Sequence, residues 1–202
     1  MSSLLLNNYS TFVDRLKEEC GDRSCSIWLF VNPKYPEDIT NIWDPIMYEI
    51  QDKVYRKLHA RINSKKIFIK NAVSDIGRVN DSSIEAEVAK SIVTLRESLL
   101  EYQPKLLITF GTIAFEFVRR VTETRPENGI KYWNSCNLGN AFEHSIENFD
   151  ISQANSIPLV RRMSNSSINN QDWEDSNGYF HNVADKIADK IIKHKDSLNI
   201  WI

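Results

Sequence analysis

Residues 106–121 read LLITFGTIAFEFVRRV, and this stretch decides the fold class. The run LLITF predicts a buried strand over residues 106–110, because a short apolar segment next to a turn residue is typical of a strand covered on both faces. Gly111 then predicts a tight turn, and Thr112 can cap a helix that begins at Ile113. A strand, a turn and a helix in immediate succession form half of the unit from which parallel sheets are built.

The same alternation extends in both directions along the chain. Short apolar runs predict three more strands, and amphipathic spacing predicts the helices between them. The predicted strands span residues 26–31, 67–69, 106–110 and 157–160, and the predicted helices span residues 9–20, 42–58, 84–102, 113–121 and 179–192. Residues 122–156 lack clear periodicity, and we expect only a short element near 141–146 there. Helices that alternate with strands predict an α/β fold, a three-layer α/β/α sandwich with a central four-stranded parallel sheet.

Composition sets limits on the class of protein. The chain has 202 residues, of which 42% are hydrophobic and 26% charged, which is typical of one globular domain over residues 1–202. The balance of 25 basic against 27 acidic residues excludes a protein that binds nucleic acid through a large positive surplus. Three cysteines, with no secretory signal at the start of the sequence, predict a cytoplasmic protein without a disulfide framework. We expect no cofactor, no metal and no membrane partner, because three thiolates are too few for a simple iron–sulfur cluster and the apolar runs are short.

The loops that follow the predicted strands are the places where a ligand is expected, because open parallel sheets bind ligands outside the carboxyl ends of their strands. The first such loop reads NPKYPED and carries the Asn32 amide, the Tyr35 ring and two carboxylates, Glu37 and Asp38. Asn71 opens the second loop, and its side chain can donate and accept hydrogen bonds at the edge of a base. Each group is also an ordinary turn former, so the argument depends on their convergence at one edge of one sheet.

The loop after the fourth predicted strand is rich in small polar residues. It reads MSNSSINNQDW over residues 163–173 and follows Arg161 and Arg162. Its hydroxyls and amides, with the two guanidinium groups beside them, could hold a phosphate. The basic residues in or near the predicted site loops are Lys34, Lys70, Arg78, Arg161 and Arg162. A net charge of −2 therefore still allows a local basic face.

Five segments, in this order, resemble the uracil-DNA glycosylase superfamily. They are FVNPK at 30–34, NIW at 41–43, FIKNAV at 68–73, LLEYQPKLLITFGTIA at 99–114 and NSS at 165–167. The first stands where the mismatch-specific thymine/uracil branch has Gly-Ile-Asn-Pro-Gly, and the second is similar to that branch's Asn-x-x-Trp segment. The third is similar to the strand that ends in the base-recognising Asn. The fourth is similar to the helix, Pro, strand, Gly, helix signature, and the last stands in place of His-Pro-Ser or Asn-Pro-Ser.

This resemblance implies a DNA glycosylase-like protein of base-excision DNA repair, which flips a damaged or mismatched base out of the stack and hydrolyses its N-glycosidic bond. The implied catalytic residues are Asn32, which would orient the attacking water, and Asn165 with Ser167, which would hold the flanking phosphate or the departing base. Glu37 and Asp38 are alternative water activators because they are carboxylates in the same loop. The implied substrate-binding residues are Pro33, Tyr35, Phe68, Asn71, Gly111, Arg162 and Ser164.

Differences from the family pattern leave a second function open. Phe30 and Lys34 replace the glycines that flank Asn-Pro, and Ser166 stands where the family has Pro, with no His beside it. The alternative is a catalytically weak or inactive module of the same fold that binds a nucleotide, nucleic acid or protein partner. A nucleotide-processing enzyme on another doubly wound sheet is disfavoured, because the sequence has no G-x-x-x-x-G-K-[ST] or G-x-G-x-x-G loop.

Overall fold

The computed structural model of the chain describes residues 19–32, 39–72, 82–122, 129–161 and 172–202, and it confirms the α/β class. The strands in these ranges are β1 (Glu19–Cys20), β2 (Ile27–Val31), β3 (Ile67–Asn71), β4 (Leu106–Phe110) and β5 (Asn155–Leu159). The α-helices are α1 (Ile39–Leu58), α2 (Ser82–Tyr102), α3 (Thr112–Thr122), α4 (Ser135–Glu147) and α5 (Asp172–Lys193). None of the helices described is long and apolar enough to span a bilayer.

The five strands form one sheet in the order β1-β3-β2-β4-β5. The four predicted strands are confirmed, and they pair in parallel as β3 with β2, β2 with β4 and β4 with β5. The expectation of a purely parallel, four-stranded sheet is wrong, because β1 adds an antiparallel strand at the edge beside β3. The helix predicted over residues 9–20 is wrong at residues 19 and 20, which form β1. Residues 9–18 lie outside the described residues.

A glycine and an ion pair explain why the chain forms β1. Gly21 has a φ of +95°, and a Cβ there would lie 2.4 Å from the backbone oxygen of Ile67, so only glycine fits this close approach to β3. Glu19 pairs with Arg23 at 2.6 Å and with Lys70 of β3 at 3.3 Å. Burial raises the pKa of the Glu19 carboxyl, but hydrogen bonds from these two cations outweigh that effect and lower it. β1 is therefore held by contacts with β3 that hydrophobic spacing does not reveal.

Alternate residues of the strands contribute to two separate hydrophobic clusters. Ile27, Leu29 and Val31 of β2 belong to a cluster that also contains buried residues of α1 and α5. Trp28 and Phe30 belong to a second cluster, which contains buried residues of α2 and α3. Since successive side chains of a strand point to opposite faces, β2 is covered on both sides, and all five of its residues are fully buried.

Helix α4 corrects the expectation of a single short element near residues 141–146. The Asn134 side chain caps the helix by accepting a hydrogen bond of 2.9 Å from the Asn137 N–H. Leu138, Phe142 and Ile146 recur at helical spacing and are buried. Asparagine-rich segments have low intrinsic helix propensity, so burial of this apolar stripe stabilises α4 where local preference does not. Helix α5 likewise begins at residue 172, earlier than the predicted residue 179.

Strand β5 forms the second edge of the sheet, and α4 packs beside it. The Asn155 N–H donates to the backbone oxygen of Lys105 at 2.9 Å. The backbone N–H and C=O groups of every second residue from Asn155 onward therefore point to β4, and those of Ser156 and Pro158 point away from it. The Ser145 hydroxyl of α4 donates to the Ser156 oxygen at 2.6 Å. Pro158 has no N–H to offer, which is why proline is tolerated at a sheet edge. This edge is therefore partly closed to pairing with another strand.

Candidate functional site

The order of the strands places the topological switch point between β2 and β4. From β2 the chain passes through α1 to β3 on one side, and from β3 it crosses through α2 to β4 on the other side of β2. Loops that leave the carboxyl ends of β2 and β4 therefore diverge, and open α/β sheets bind ligands at such a switch point. Asn32 directly follows β2, and Gly111 directly follows β4.

Two of the predicted amides lie together at this edge. β2 and β3 pair in parallel with Val31 opposite Asn71, and the Ala72 N–H donates to the Val31 oxygen at 2.8 Å. Asn32 follows Val31, so Asn32 and Asn71 end neighbouring strands at the same level. Both residues are half-buried. The structure therefore places the backbones of the predicted water-orienting residue and the predicted base-reading residue at the same edge of the sheet.

Arg161 connects three strand ends across the switch point. It lies just beyond β5, and its Nη1 donates a hydrogen bond of 2.8 Å to the backbone oxygen of Asn32. A Cβ placed on Gly111 would be 3.2 Å from the Cβ of Arg161, so the arginine passes directly over this glycine. Sequence reasoning identified Arg161 as a cation near a polar loop but missed this contact, which joins residues 129 positions apart.

The charge of Arg161 is not offset by any acid in the part of the chain that the structure describes. Lys70, another member of the predicted basic face, differs in this respect because it pairs with Glu19 at 3.3 Å. Lys34, Arg78 and Arg162 lie outside the described residues. A backbone carbonyl satisfies one N–H of the Arg161 guanidinium without neutralising it, and the group has five N–H donors. Arg161 therefore places a positive charge at the switch point, together with N–H donors that are not used by the bond to Asn32.

Gly111 has a structural reason to be glycine. Its φ is +89°, a conformation that other residues rarely adopt. Its N–H donates to the Leu159 oxygen at 2.8 Å, and its own oxygen accepts from the Phe115 N–H at 3.1 Å. The turn between β4 and α3, together with the approach of Arg161, explains this residue without a ligand. Its contact with a substrate remains a prediction.

Phe68 lies in the core rather than at the edge of the sheet. It is 1% exposed, and its ring centroid is 4.7 Å from that of Trp28. A base could stack on this ring only if the core opened, so we assign Phe68 to packing. The remaining predicted site residues lie outside the described residues: Pro33, Tyr35, Arg162, Ser164, Asn165 and Ser167, with the alternative acids Glu37 and Asp38.

Trp43 is a half-buried residue of the helix that follows the first site loop. It lies in the second turn of α1, the helix that follows the loop leaving β2, and its ring packs against the cluster that contains Ile27. Its Nε1 is buried and donates no hydrogen bond within the described ranges. A buried N–H without an acceptor costs about 1–3 kcal/mol, so this donor is a candidate contact for a polar group.

Metal chemistry finds no support in the described residues, which contain no group of three or more His, Cys, Asp or Glu side chains that could hold an ion. The arrangement at the switch point is instead one of two amides, a glycine turn and an arginine. Compared with known proteins, the sequence matches no family model and no curated protein.

Proposed function

We propose that the chain is a DNA glycosylase-like protein with the layered α/β/α arrangement, and that it binds a nucleotide base at the switch point between β2 and β4. The observation that carries the proposal is the Arg161 side chain, which reaches Asn32 across Gly111 without an acidic partner among the described residues. Guanidinium groups bind phosphate oxygens strongly, and amide side chains read the edges of bases. Arg161 contacts Asn32, and Asn71 ends the neighbouring strand. This edge of the sheet therefore suits a ligand that contains both a phosphate and a base.

Each residue has a distinct task in the proposed function. Arg161 uses one N–H to hold the Asn32 backbone, and its other donors would bind a phosphate next to the extruded nucleotide. Asn71 would read the base edge, and Asn32 would orient a water for attack on the sugar carbon as the glycosidic bond breaks. An amide cannot accept the proton of that water, so a carboxylate of the same loop, Glu37 or Asp38, would have to take it. The base leaves with the bonding electrons and is then protonated.

A second function, binding without hydrolysis, is favoured by the position of the arginine. The Arg161 side chain already fills the space above Gly111, where a Cβ would meet it at 3.2 Å. A base could then contact Asn32 and Asn71 at the ends of β2 and β3, but it could not approach the Gly111 turn. An inactive module of the same fold would show this behaviour: nucleotide affinity without bond cleavage.

The test uses labelled oligonucleotides that contain uracil, a thymine mismatch or hypoxanthine. Abasic product is measured by alkaline strand cleavage, and affinity by fluorescence anisotropy at two salt concentrations. We expect Asn32→Ala to abolish cleavage and Arg161→Gln to weaken binding and reduce its salt dependence. Arg56→Gln is the matched control, since Arg56 is 76% exposed on α1 and its charge is offset by Asp52 at 2.8 Å.

The outcomes separate the two functions. Abasic product that depends on Asn32 supports the glycosylase, whereas binding that depends on Arg161 without any abasic product supports the inactive module. If neither cleavage nor binding occurs with any of the three substrates, or if Arg56→Gln has the same effect as Arg161→Gln, the switch-point proposal is wrong.

A further inference from the structure

A groove of about 470 Å³ lies between α4, the start of β5 and the 3-10 turn Ile130–Tyr132. Its volume is within the range of small-molecule sites. None of the residues assigned to the switch point lines it. This groove is therefore a second candidate site, built from different residues.

One wall of the groove is aromatic and firmly held. Tyr132 is 38% exposed, and its ring centroid lies 4.9 Å from that of Trp133. Trp133 is buried, packs edge-on against Phe115 at 4.6 Å, and donates a hydrogen bond of 2.8 Å from Nε1 to Glu116. A half-exposed ring fixed against a buried one offers a flat apolar surface at little entropic cost.

The opposite wall is a row of polar side chains along α4 and its C-cap residue. Asn137, Asn140, His144 and Asn148 recur every three or four residues, so they share one side of the helix. The Asn137 Nδ2 donates to the backbone oxygen of Tyr132 at 2.6 Å, and the Asn148 Nδ2 donates to the backbone oxygen of His144 at 2.8 Å. Within the described ranges, the Oδ1 atoms of these two amides accept no hydrogen bond. The row therefore presents free acceptors to the groove side of the helix.

The base of the groove, at the start of β5, and the charge of its lining indicate which class of ligand it can bind. Ser156 of β5 lines the groove, and its Oγ is buried without a hydrogen-bond partner in the part of the chain described. Among the described residues that line the groove there is no Asp, Glu, Lys or Arg. An anion would lose its hydration there without gaining a counter-charge, so the lining favours an uncharged ligand.

We propose that this groove binds an uncharged nucleobase or nucleoside. Its flat ring would stack on Tyr132, because every base has a π-face that aromatic side chains accept. Its polar edge would meet the amide row of α4, since an Asn side chain pairs a donor and an acceptor with those of a base. The proposal goes beyond the switch-point function, which depends on a phosphate and on Arg161, and it stands on the lining of the groove alone.

Isothermal titration of the full chain with adenosine, cytidine and thymidine tests the proposal, with glucose and adenosine monophosphate as comparison ligands. We expect at least one nucleoside to bind more tightly than glucose and, in the Arg161→Gln variant, where the phosphate site is weakened, no less tightly than the monophosphate. Tyr132→Ala should weaken that binding about 5-fold or more, the effect of losing one base–aromatic stack. Asn140→Ala removes an exposed amide without touching the core and should also weaken it. Tyr55→Ala, at a 44% exposed tyrosine outside the groove, should leave it unchanged.

Three results would overturn the proposal. They are the absence of nucleoside binding at millimolar concentration, equal binding of glucose, and nucleoside affinity unchanged in both groove variants. If Arg161→Gln rather than Tyr132→Ala abolishes nucleoside binding, the ligand lies at the switch point and the groove is not its site. Failure here leaves the oligonucleotide assay untouched, because that assay reads Asn32 and Arg161.

Discussion

Replacing Glu116 by glutamine should lower the free energy of unfolding more than any exposed charge change. Glu116 lies in α3 and is fully buried. Its Oε1 accepts hydrogen bonds from Arg119 Nη2 and Arg120 Nε, and its Oε2 accepts from Arg119 Nε and Trp133 Nε1, each at 2.8 Å. The carboxylate thus joins two cations of its own helix to a tryptophan beyond the end of that helix.

The geometry sets the magnitude of the loss. Glutamine converts one of the two oxygens into an NH2 donor, so two of the four donors lose their acceptor. Hydrogen bonds to charged groups contribute about 1.5–3 kcal/mol each, and removal of one partner of a buried ion pair typically costs about 3–5 kcal/mol. Since the Arg120 side chain is 34% exposed, water can satisfy part of what it loses. We therefore expect a loss of about 3 kcal/mol.

Urea denaturation followed by circular dichroism measures this loss, with Glu143→Gln as the matched control. Glu143 makes an exposed ion pair with Lys186 at 2.6 Å, and such pairs contribute about 0–1 kcal/mol. The acid dependence provides a second measurement. Burial raises the pKa of the Glu116 carboxyl, but hydrogen bonds from Arg119, Arg120 and Trp133 outweigh it and hold the pKa below 4.5. The stabilisation is therefore complete above pH 4.5 and is lost as the pH falls through the lower pKa of the folded state.

The difference between wild type and Glu116→Gln should accordingly shrink in acid. The reasoning is refuted if the variant loses no more stability than Glu143→Gln. It is also refuted if the difference between wild type and variant persists unchanged far below pH 4.5.

Two further predictions concern packing and are checked by the same denaturation assay. Gly111→Ala should cost about 1–2 kcal/mol from its positive φ, with more from displacing Arg161, whereas Gly139→Ala in open space on α4 should gain about 0.5–1 kcal/mol. Equal effects at the two glycines would contradict this. Phe142→Ala should cost about 3–5 kcal/mol because this ring is 1% exposed, whereas Leu100→Ala, at 72% exposure, should change stability by less than about 0.5 kcal/mol. A small loss at Phe142 would show that α4 is not part of the core.

The four parallel strands could be predicted from the sequence because burial on both faces leaves a strong pattern. IWLFV and LLITF contain almost no polar residue, and each lies next to a turn signal. A strand in this position has no solvent-facing side, so an apolar run is the only pattern compatible with it. The helices between these strands followed from their amphipathic spacing, with ends predicted to within a few residues in α1, α2 and α3.

The elements that were missed owe their structure to distant contacts. β1 has only two residues, and it depends on the approach of Gly21 to Ile67 and on the pairing of Glu19 with Lys70. Residues 134–140, at the start of α4, include three asparagines and one glycine, and these residues lower the local helix propensity. Its stability comes from burying Leu138, Phe142 and Ile146. The contacts of β1 leave no local pattern, and in α4 the low helix propensity obscures the helical spacing of these three apolar residues.

The candidate site was predictable in position but not in composition. The rule that ligands bind at the carboxyl ends of parallel strands directed attention to Asn32, Asn71 and Gly111, which the structure places at the ends of β2, β3 and β4. It could not show that Arg161 crosses the edge, because the contact depends on strand order, and the strand order was not predicted. Nor could it separate Phe68 from the site, since an aromatic residue near a strand end reads the same whether it packs inward or contacts a ligand.

The choice of acceptor for Arg161 determines which ligands the switch point favours. A carboxylate in place of the Asn32 carbonyl would neutralise the guanidinium and remove the attraction for an anion. A carbonyl oxygen holds the side chain in position while leaving its full charge, which no acid among the described residues offsets. The groove beside α4 has the opposite character, because no Asp, Glu, Lys or Arg is among its described lining residues. Phosphate-bearing ligands are therefore expected at the switch point, and uncharged rings in the groove.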